Sequence, residues 1–313
     1  MKYVNSFGTC ARAGILSMVL GLTASVAIAA DSTSIKIGPD TEQTTIEVKK
    51  FQAAADLLPP DFAKGGAISV GLEANGGYPN SVTSESGFYG LTYDLAKELA
   101  ATLGLELKLN TGPFPTLIPG LQAKRFDFST SLYGDSEERR QVVDFVYSTL
   151  GLGDVLLAST KQKGKILDFK NICGLTIGST AGSSQLSRVE ASSAQCQKDG
   201  KPPVTIQQYP SNPETVLAGV SARVDGVVLP MGGAGYAAKA NTSKLTLGTI
   251  DLTVQKYSGI AMPKGSPLKP AIQAAMAELV RNGIWKQTLT IYGQEATFAE
   301  VSIIEKGVPY VSK

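Results

Sequence analysis

Hydrophobic positions along the chain switch between a two-residue period and a helical one. AISVGLEA (67–74) is apolar and alternating and predicts a strand. NGGYPNSVTSESGFYG follows it, rich in turn formers, and predicts a loop. In LTYDLAKELAATLG (91–104) apolar residues stand at 91, 95, 99 and 103, with alanines at 96 and 100. That stripe predicts a helix, and Gly104 stands where a glycine ends one. LELKLN predicts the next strand, FPTLIPGLQAKR a short helix with Pro115 near its start, and FDFSTSL a further strand.

The same alternation returns downstream. GLTIGST (174–180) reads as a strand, AGSSQLSRVEASSAQ as a turn and helix, and VTIQQY (204–209) as a strand. NPETVLAGVSAR (212–223) reads as a helix capped by Asn212 with Pro213 in its first turn, and VDGVVLP as a strand. Strands separated by single helices imply α/β architecture with mostly parallel sheets. Ligands of such sheets sit beyond the carboxyl ends of the strands. GDVLLAST (153–160) leads from the first unit to the second, and KYSGIAMPK (256–264) leads away from it. Two crossings imply a paired hinge and a cleft. SPLKPAIQAAMAELVRNGIW (266–285) predicts one long helix near the end. Residues 30–65 read as a polar extension with one short helix from Phe51 to Leu58.

The start of the chain reads separately. Lys2 and Arg12 precede the uncharged stretch AGILSMVLGLTASVAIAA, which ends in Ala27-Ile28-Ala29. This is the pattern of a cleaved signal peptide over 1–29; a retained membrane anchor is the alternative. Cys10 precedes the apolar stretch and is not placed for lipidation at the cleavage point. Removing the leader leaves 27 basic and 27 acidic residues, a balance that argues against a nucleic-acid partner. Cys173 and Cys196 then remain, an even count that suggests a disulfide in an exported chain, with two free thiols as the alternative. A loop of that size closed by a disulfide adds about 3 kcal/mol. The 313 residues include no histidine, which removes Ser-His-Asp and Cys-His catalysis and His-ligated zinc. No cofactor and no metal is assigned.

FDFSTSLYGDSEERRQVVDF (126–145) passes from a strand into a helix start that carries two arginines. Asp135 with Glu138 reads as a capping box. Arg139 is either a carboxylate-binding fork or a surface residue paired with Glu138 or Asp144. Arg140 points elsewhere on the helix and reads as solvated.

These stretches together resemble the extracytoplasmic solute-binding proteins of amino-acid-type ABC transporters. The resemblance spans roughly residues 66 to 293 and rests on six motifs in order: GLTYDLAKELAATLGLELKL, LIPGLQAKRFDFSTSL, EERRQVVDF, GLTIGSTAGSSQ, SARVDGVVL and SGIAMPKGSPLKPAIQAAMAELVRNGIWKQTLTIYG. It implies the type II periplasmic binding fold: two Rossmann-like α/β lobes joined by a two-segment hinge. The implied organisation is an N-terminal extension at 30–65, one lobe of 66–157 plus 258–313, and a second lobe of 158–257.

The resemblance also implies site roles. Arg139 matches the arginine that binds the ligand carboxylate. Gly182, Ser183 and Ser184 match the turn opposite it, for which a helix N-cap without ligand is the other reading. Phe114 matches the aromatic wall of the pocket, with plain core as the alternative. Glu73 matches a carboxylate facing an ammonium or polar side chain, and Tyr78 belongs to the same loop. The chain departs from the family where an aspartate closes the second lobe's last strand: Pro230 stands there. Leu132 and Gly134 occupy positions where Ser or Thr is usual. The expected function is a periplasmic, monomeric binding protein that captures an amino acid or related small carboxylate and delivers it to an ABC permease. The alternative is a periplasmic dehydratase or lyase on the same fold, with Glu73 as acid or base. A sensory receptor would need an attached membrane helix.

Overall fold

A computed structural model describes residues 32–251 and 257–307. The expected signal peptide at 1–29, with Cys10, lies outside them. The chain opens with a hairpin, β1 (Ser32–Ile37) and β2 (Thr44–Lys49), then α1 (Gln52–Ala55) and α2 (Pro60–Gly65). The first alternating unit follows: β3 (Ala67–Glu73), the short pair β4 (Val82–Ser84) and β5 (Gly87–Tyr89), α3 (Leu91–Leu103), β6 (Glu106–Gly112), α4 (Phe114–Gln122), β7 (Phe128–Gly134), α5 (Glu137–Val142) and β8 (Val143–Leu150). The chain then crosses into β9 (Asp154–Ser159), β10 (Thr176–Thr180), α6 (Ser184–Lys198), β11 (Thr205–Tyr209), α7 (Asn212–Val220), β12 (Gly226–Pro230), α8 (Met231–Ala240) and β13 (Leu245–Asp251). It returns through β14 (Tyr257–Pro263) and closes with α9 (Lys269–Arg281), α10 (Ile284–Ile291) and α11 (Val301–Lys306).

Two five-stranded sheets result, ordered β6-β3-β7-β14-β8 and β11-β10-β12-β9-β13. In each, three strands are parallel and the crossing strand is inserted antiparallel before the last. The βαβ order predicts the parallel strands correctly; the last strands, β8 and β13, run the same way as those three, and the crossing strands β14 and β9 alone run against the rest. The architecture is α/β with two such sheets.

Local expectations are met where burial enforces them. Leu91, Leu95, Leu99 and Leu103 are all 2 % exposed or less, and Gly104 caps α3 in the left-handed region. They pack with Met276, Leu279 and Trp285 against the first sheet. Two smaller cores cover the two faces of the second sheet, one around Val155, Val227 and Leu229, the other around Leu156, Ile177 and Val228. Cys173 and Cys196 form a disulfide with Cα atoms 5.6 Å apart, tying the loop before β10 to α6.

Three expectations are corrected. The extension holds a β-hairpin as well as short helices, because Ile46 and Val48 alternate with exposed Glu47 and Lys49 and bury beside α3. The long C-terminal helix is two, broken where Gly283 takes φ +81°. Ser211, not Asn212, caps α7, its side chain accepting from Glu214 N. Among the described residues no helix is long and apolar enough to cross a membrane.

Candidate functional site

The carboxyl ends of the central strands of both sheets meet at one cavity. Glu73 is the last residue of β3, and its backbone N–H donates to Ser131 Oγ at 3.0 Å. Its carbonyl accepts from Ser81 Oγ at 2.8 Å. The side chain is 6 % exposed, and among the described residues Oε1 has no hydrogen-bond partner. Burial pushes its pKa up to about 7. Gly76 makes room for it: a Cβ at that position would fall 2.7 Å from Glu73 Oε2.

Strand β7 reaches the same place through a bulge. Gly259 of β14 pairs with Tyr133 and Ala261 with Ser129, so β7 has extra residues between them. Leu132, within that bulge, takes φ +50°, a costly conformation for a branched residue. Bulges re-aim side chains, and here Ser131, Leu132 and Gly134 all line the cavity.

The helix after β7 carries Arg139. Its cap corrects the expected capping box: Ser136 Oγ, not Asp135, accepts from a helix N–H, that of Arg139 at 3.2 Å. Asp135 is instead buried, accepting from Arg140 Nε and from the Tyr147 hydroxyl, both at 2.6 Å. Arg140 is therefore ion-paired rather than simply solvated. Nor is Arg139 held by Glu138 or Asp144, which accepts from Lys264. Its Nη1 donates to Gly134 O and its Nη2 to Gly182 O, each at 2.8 Å. The second bond crosses from the first sheet's side to the second's. Burial lowers the guanidinium's pKa, partly offset by Tyr133, Glu138 and Asp135. Phe114 stacks on Tyr133 with centroids 5.2 Å apart, and the Arg139 guanidinium lies 5.9 Å from the Phe114 ring.

From the second sheet, β10 ends at Thr180 and the chain turns through Gly182 at φ +68° into α6. Ser183 caps that helix: its Oγ accepts from Leu186 N at 3.2 Å and donates to Thr180 O at 2.7 Å. Ser184 stands free of that duty. A Cβ on Gly134 would lie 3.4 Å from Ser184 Oγ and 3.8 Å from Arg139 Nη1. Thr180 Oγ1 donates to Asn212 Oδ1, and Asn212 Nδ2 donates to Gly76 O at 3.3 Å, a second bond between the two sides.

Glu73, Phe114, Gly134, Arg139, Ser183 and Ser184 thus line one cavity of about 110 Å³, with Pro230 at its wall. Gly182 does not line it: its carbonyl accepts from Arg139, and the residue lines a separate cavity beside Phe114 and Ser183. A second cavity of about 140 Å³ shares Gly134, Ser184 and Pro230 and runs toward the crossing between β8 and β9. Tyr78 is set apart, against Tyr236 at 4.6 Å between centroids, in a neighbouring apolar cavity. Asn80, Ser131, Thr180, Gln185 and Ser258 line the first cavity as well and carried no assignment from the sequence. Thr180 ends β10 and Gln185 stands in the first turn of the helix after it, but Ser131 lies within β7, Asn80 in the loop before β4 and Ser258 at the start of β14, so no shared local pattern marks them.

A family model described as bacterial extracellular solute-binding proteins, family 3, matches residues 68–295. The arginine-binding protein ArgT of Corynebacterium glutamicum is 26% identical over 253 residues, 80% of this chain and 82% of that one. The ABC transporter arginine-binding protein 1 of Escherichia coli is 23% identical over 247 residues, 77% of this chain and 97% of that one. A crystal structure of a mutant of ArgBP from T. maritima superposes with a TM-score of 0.65 at 25% identity, covering 77% of this chain and all 100% of the other.

Proposed function

The chain belongs to the bacterial extracellular solute-binding proteins, family 3, and from that premise we propose that it captures an amino acid in the cavity between its sheets and delivers it to an ABC permease. The two sheets are then two lobes hinged at the crossings. The reading has the chain exported through a cleaved leader and acting as a monomer. Two relatives named for arginine binding support an amino acid as the solute.

The observation that carries the reading is the Arg139 bridge. Its guanidinium spans the two sides, bonded to Gly134 O and Gly182 O, with Ser184 Oγ beside it. A carboxylate placed there meets the remaining N–H donors of a planar fork and the Ser184 hydroxyl. Glu73 supplies the opposite charge. A desolvated carboxylate with an unpartnered oxygen is stabilised as an anion by a ligand cation. A solute bearing both a carboxylate and a cationic group satisfies both, although Pro230 contributes no charge. Such a ligand favours the closed state over the open one, which closure requires.

Turnover is the less favoured reading. A dehydratase or lyase needs a positioned acid and base. Among the described residues Glu73 is the one carboxylate that lines the Arg139 cavity. The test is a thermal-shift and calorimetric screen of amino acids, because a ligand of the folded state raises the melting temperature. Stoichiometric binding that Arg139→Ala abolishes while the variant stays folded is the expected result. Normal binding by that variant, or multiple turnover of any member of the screen, overturns the proposal.

A further inference from the structure

Asp154 opens β9, where the chain enters the second sheet, and Asp251 ends β13, the last described residue before the chain returns. The two are register partners on adjacent antiparallel strands. Like charges in that position repel. The backbones are also forced together there: Gly153 takes φ +93°, and a Cβ on it would fall 2.3 Å from Asp251 O. Arg188 relieves the repulsion. Arg188, in the second turn of α6, reaches both carboxylates, with Nη1 2.9 Å from Asp154 Oδ2 and Nη2 bonded to Asp251 Oδ2. Its guanidinium is held in plane by the Phe169 ring, 4.0 Å from the centroid. Gln185, one turn earlier on α6, donates to the other oxygen of Asp154 at 2.6 Å.

The same helix begins at Ser183 and Ser184 in the cavity. Its first turns therefore have two attachments. One end faces Arg139; the next turn is bolted to both strands through which the chain crosses between sheets. We propose that Arg188 is a positioning residue for ligand capture: by joining Asp154 to Asp251 it sets the cavity-facing start of α6 on the crossing strands, so that closure brings Ser184 against Arg139. This rests on the reading of the cleft as the capture site.

The test measures binding of L-arginine by calorimetry in Arg188→Gln, Arg188→Lys and Arg188→Gln with Asp251→Asn. It also measures amide hydrogen exchange over residues 185–189 in the ligand-free proteins. Arg188→Gln removes the cation shared by the two carboxylates and weakens binding about tenfold, with faster exchange in that turn. Arg188→Lys keeps the charge but not the fork and falls between. Removing the second charge with Asp251→Asn recovers most of the affinity. A purely packing role would give no such recovery. Unchanged affinity and exchange in Arg188→Gln, or a double variant as weak as the single one, overturns the inference. If Arg188→Gln does not fold, Arg188→Lys and the double variant decide by the same readouts. If the unaltered protein does not bind L-arginine, exchange decides: acceleration confined to 185–189 and reversed by Asp251→Asn supports the inference, and its absence overturns it. Arg139→Ala is the control: normal binding by it sinks the capture site itself, whereas loss of binding there with silent Arg188 variants sinks this inference alone.

Discussion

The two sheets share one topology and differ in chemistry. Each has four strands running one way and one crossing strand running against them, inserted between the third parallel strand and the last. Equivalent strand ends nevertheless carry different groups. β3 ends in Glu73, while its counterpart β10 ends in Thr180. β7 leads into Arg139, while its counterpart β12 ends at Pro230, whose side chain caps nothing. In the first cavity the first sheet's side supplies both charged groups, Glu73 and Arg139, with Ser131 and Ser258, and the second sheet's side supplies Thr180, Ser183, Ser184 and Gln185. Under the proposed function, the first sheet's side meets the charges of the solute.

The comparison can be broken most severely at Arg139. Arg139→Ala removes the one cation that lines the first cavity among the described residues and the bond to Gly182 O; ligand affinity falls about a hundredfold or more, by calorimetry. A smaller loss follows from filling the gap between the sheets. Gly134→Ala is tolerated, since a Cβ meets Ser184 Oγ at an ordinary 3.4 Å, but the branched side chain of Gly134→Val intrudes on both Ser184 and Arg139. Its affinity drops about twentyfold, with the ligand-free melting temperature little changed.

Glu73→Gln sharpens the contrast through pH. The buried carboxyl has a pKa raised from 4.5 to about 7. The native state thus holds a proton that the unfolded state has released, and ligand-free stability declines as pH rises through that window. Glu73→Gln abolishes this part of the decline and stabilises the ligand-free protein at pH 8 by about 3 kcal/mol at most. The same change weakens a cationic ligand about tenfold. In the unaltered protein, affinity for that ligand falls as pH drops below about 7, because Glu73 must lose its proton to bind it. Denaturant melts and titrations between pH 5 and 8 check both slopes. Ser184→Ala, which removes one hydroxyl from the second sheet, has the smallest effect, about threefold in affinity.

Legibility in the sequence followed the strength of the physical constraint. The stripe of α3 and the glycine that ends it were readable because a core-facing helix leaves a strict period. Arg139 stood out on a helix start after Gly134, whereas Ser184 was singled out only through the family resemblance. The cap at Ser136 was misread because Asp135 and Ser136 are both good caps, and only the buried Tyr147 and the half-exposed Arg140 decide which one is free. The bulge that aims Ser131 into the cavity depends on pairing with β14, more than a hundred residues away in the chain, and no local pattern announces it. Arg188 was invisible for a like reason: its two partners are brought together by strand register, not by spacing.

The interleaving of the crossing strands has a consequence for how the molecule is made. β14 lies between β7 and β8, so the first sheet stays unfinished until residue 263 is available, well after the whole second sheet has been synthesised. A chain cut short after Asp251 would present both of those strands as open edges, ready to pair with a neighbouring copy. The second sheet can therefore be complete before the first, whose crossing strand arrives last.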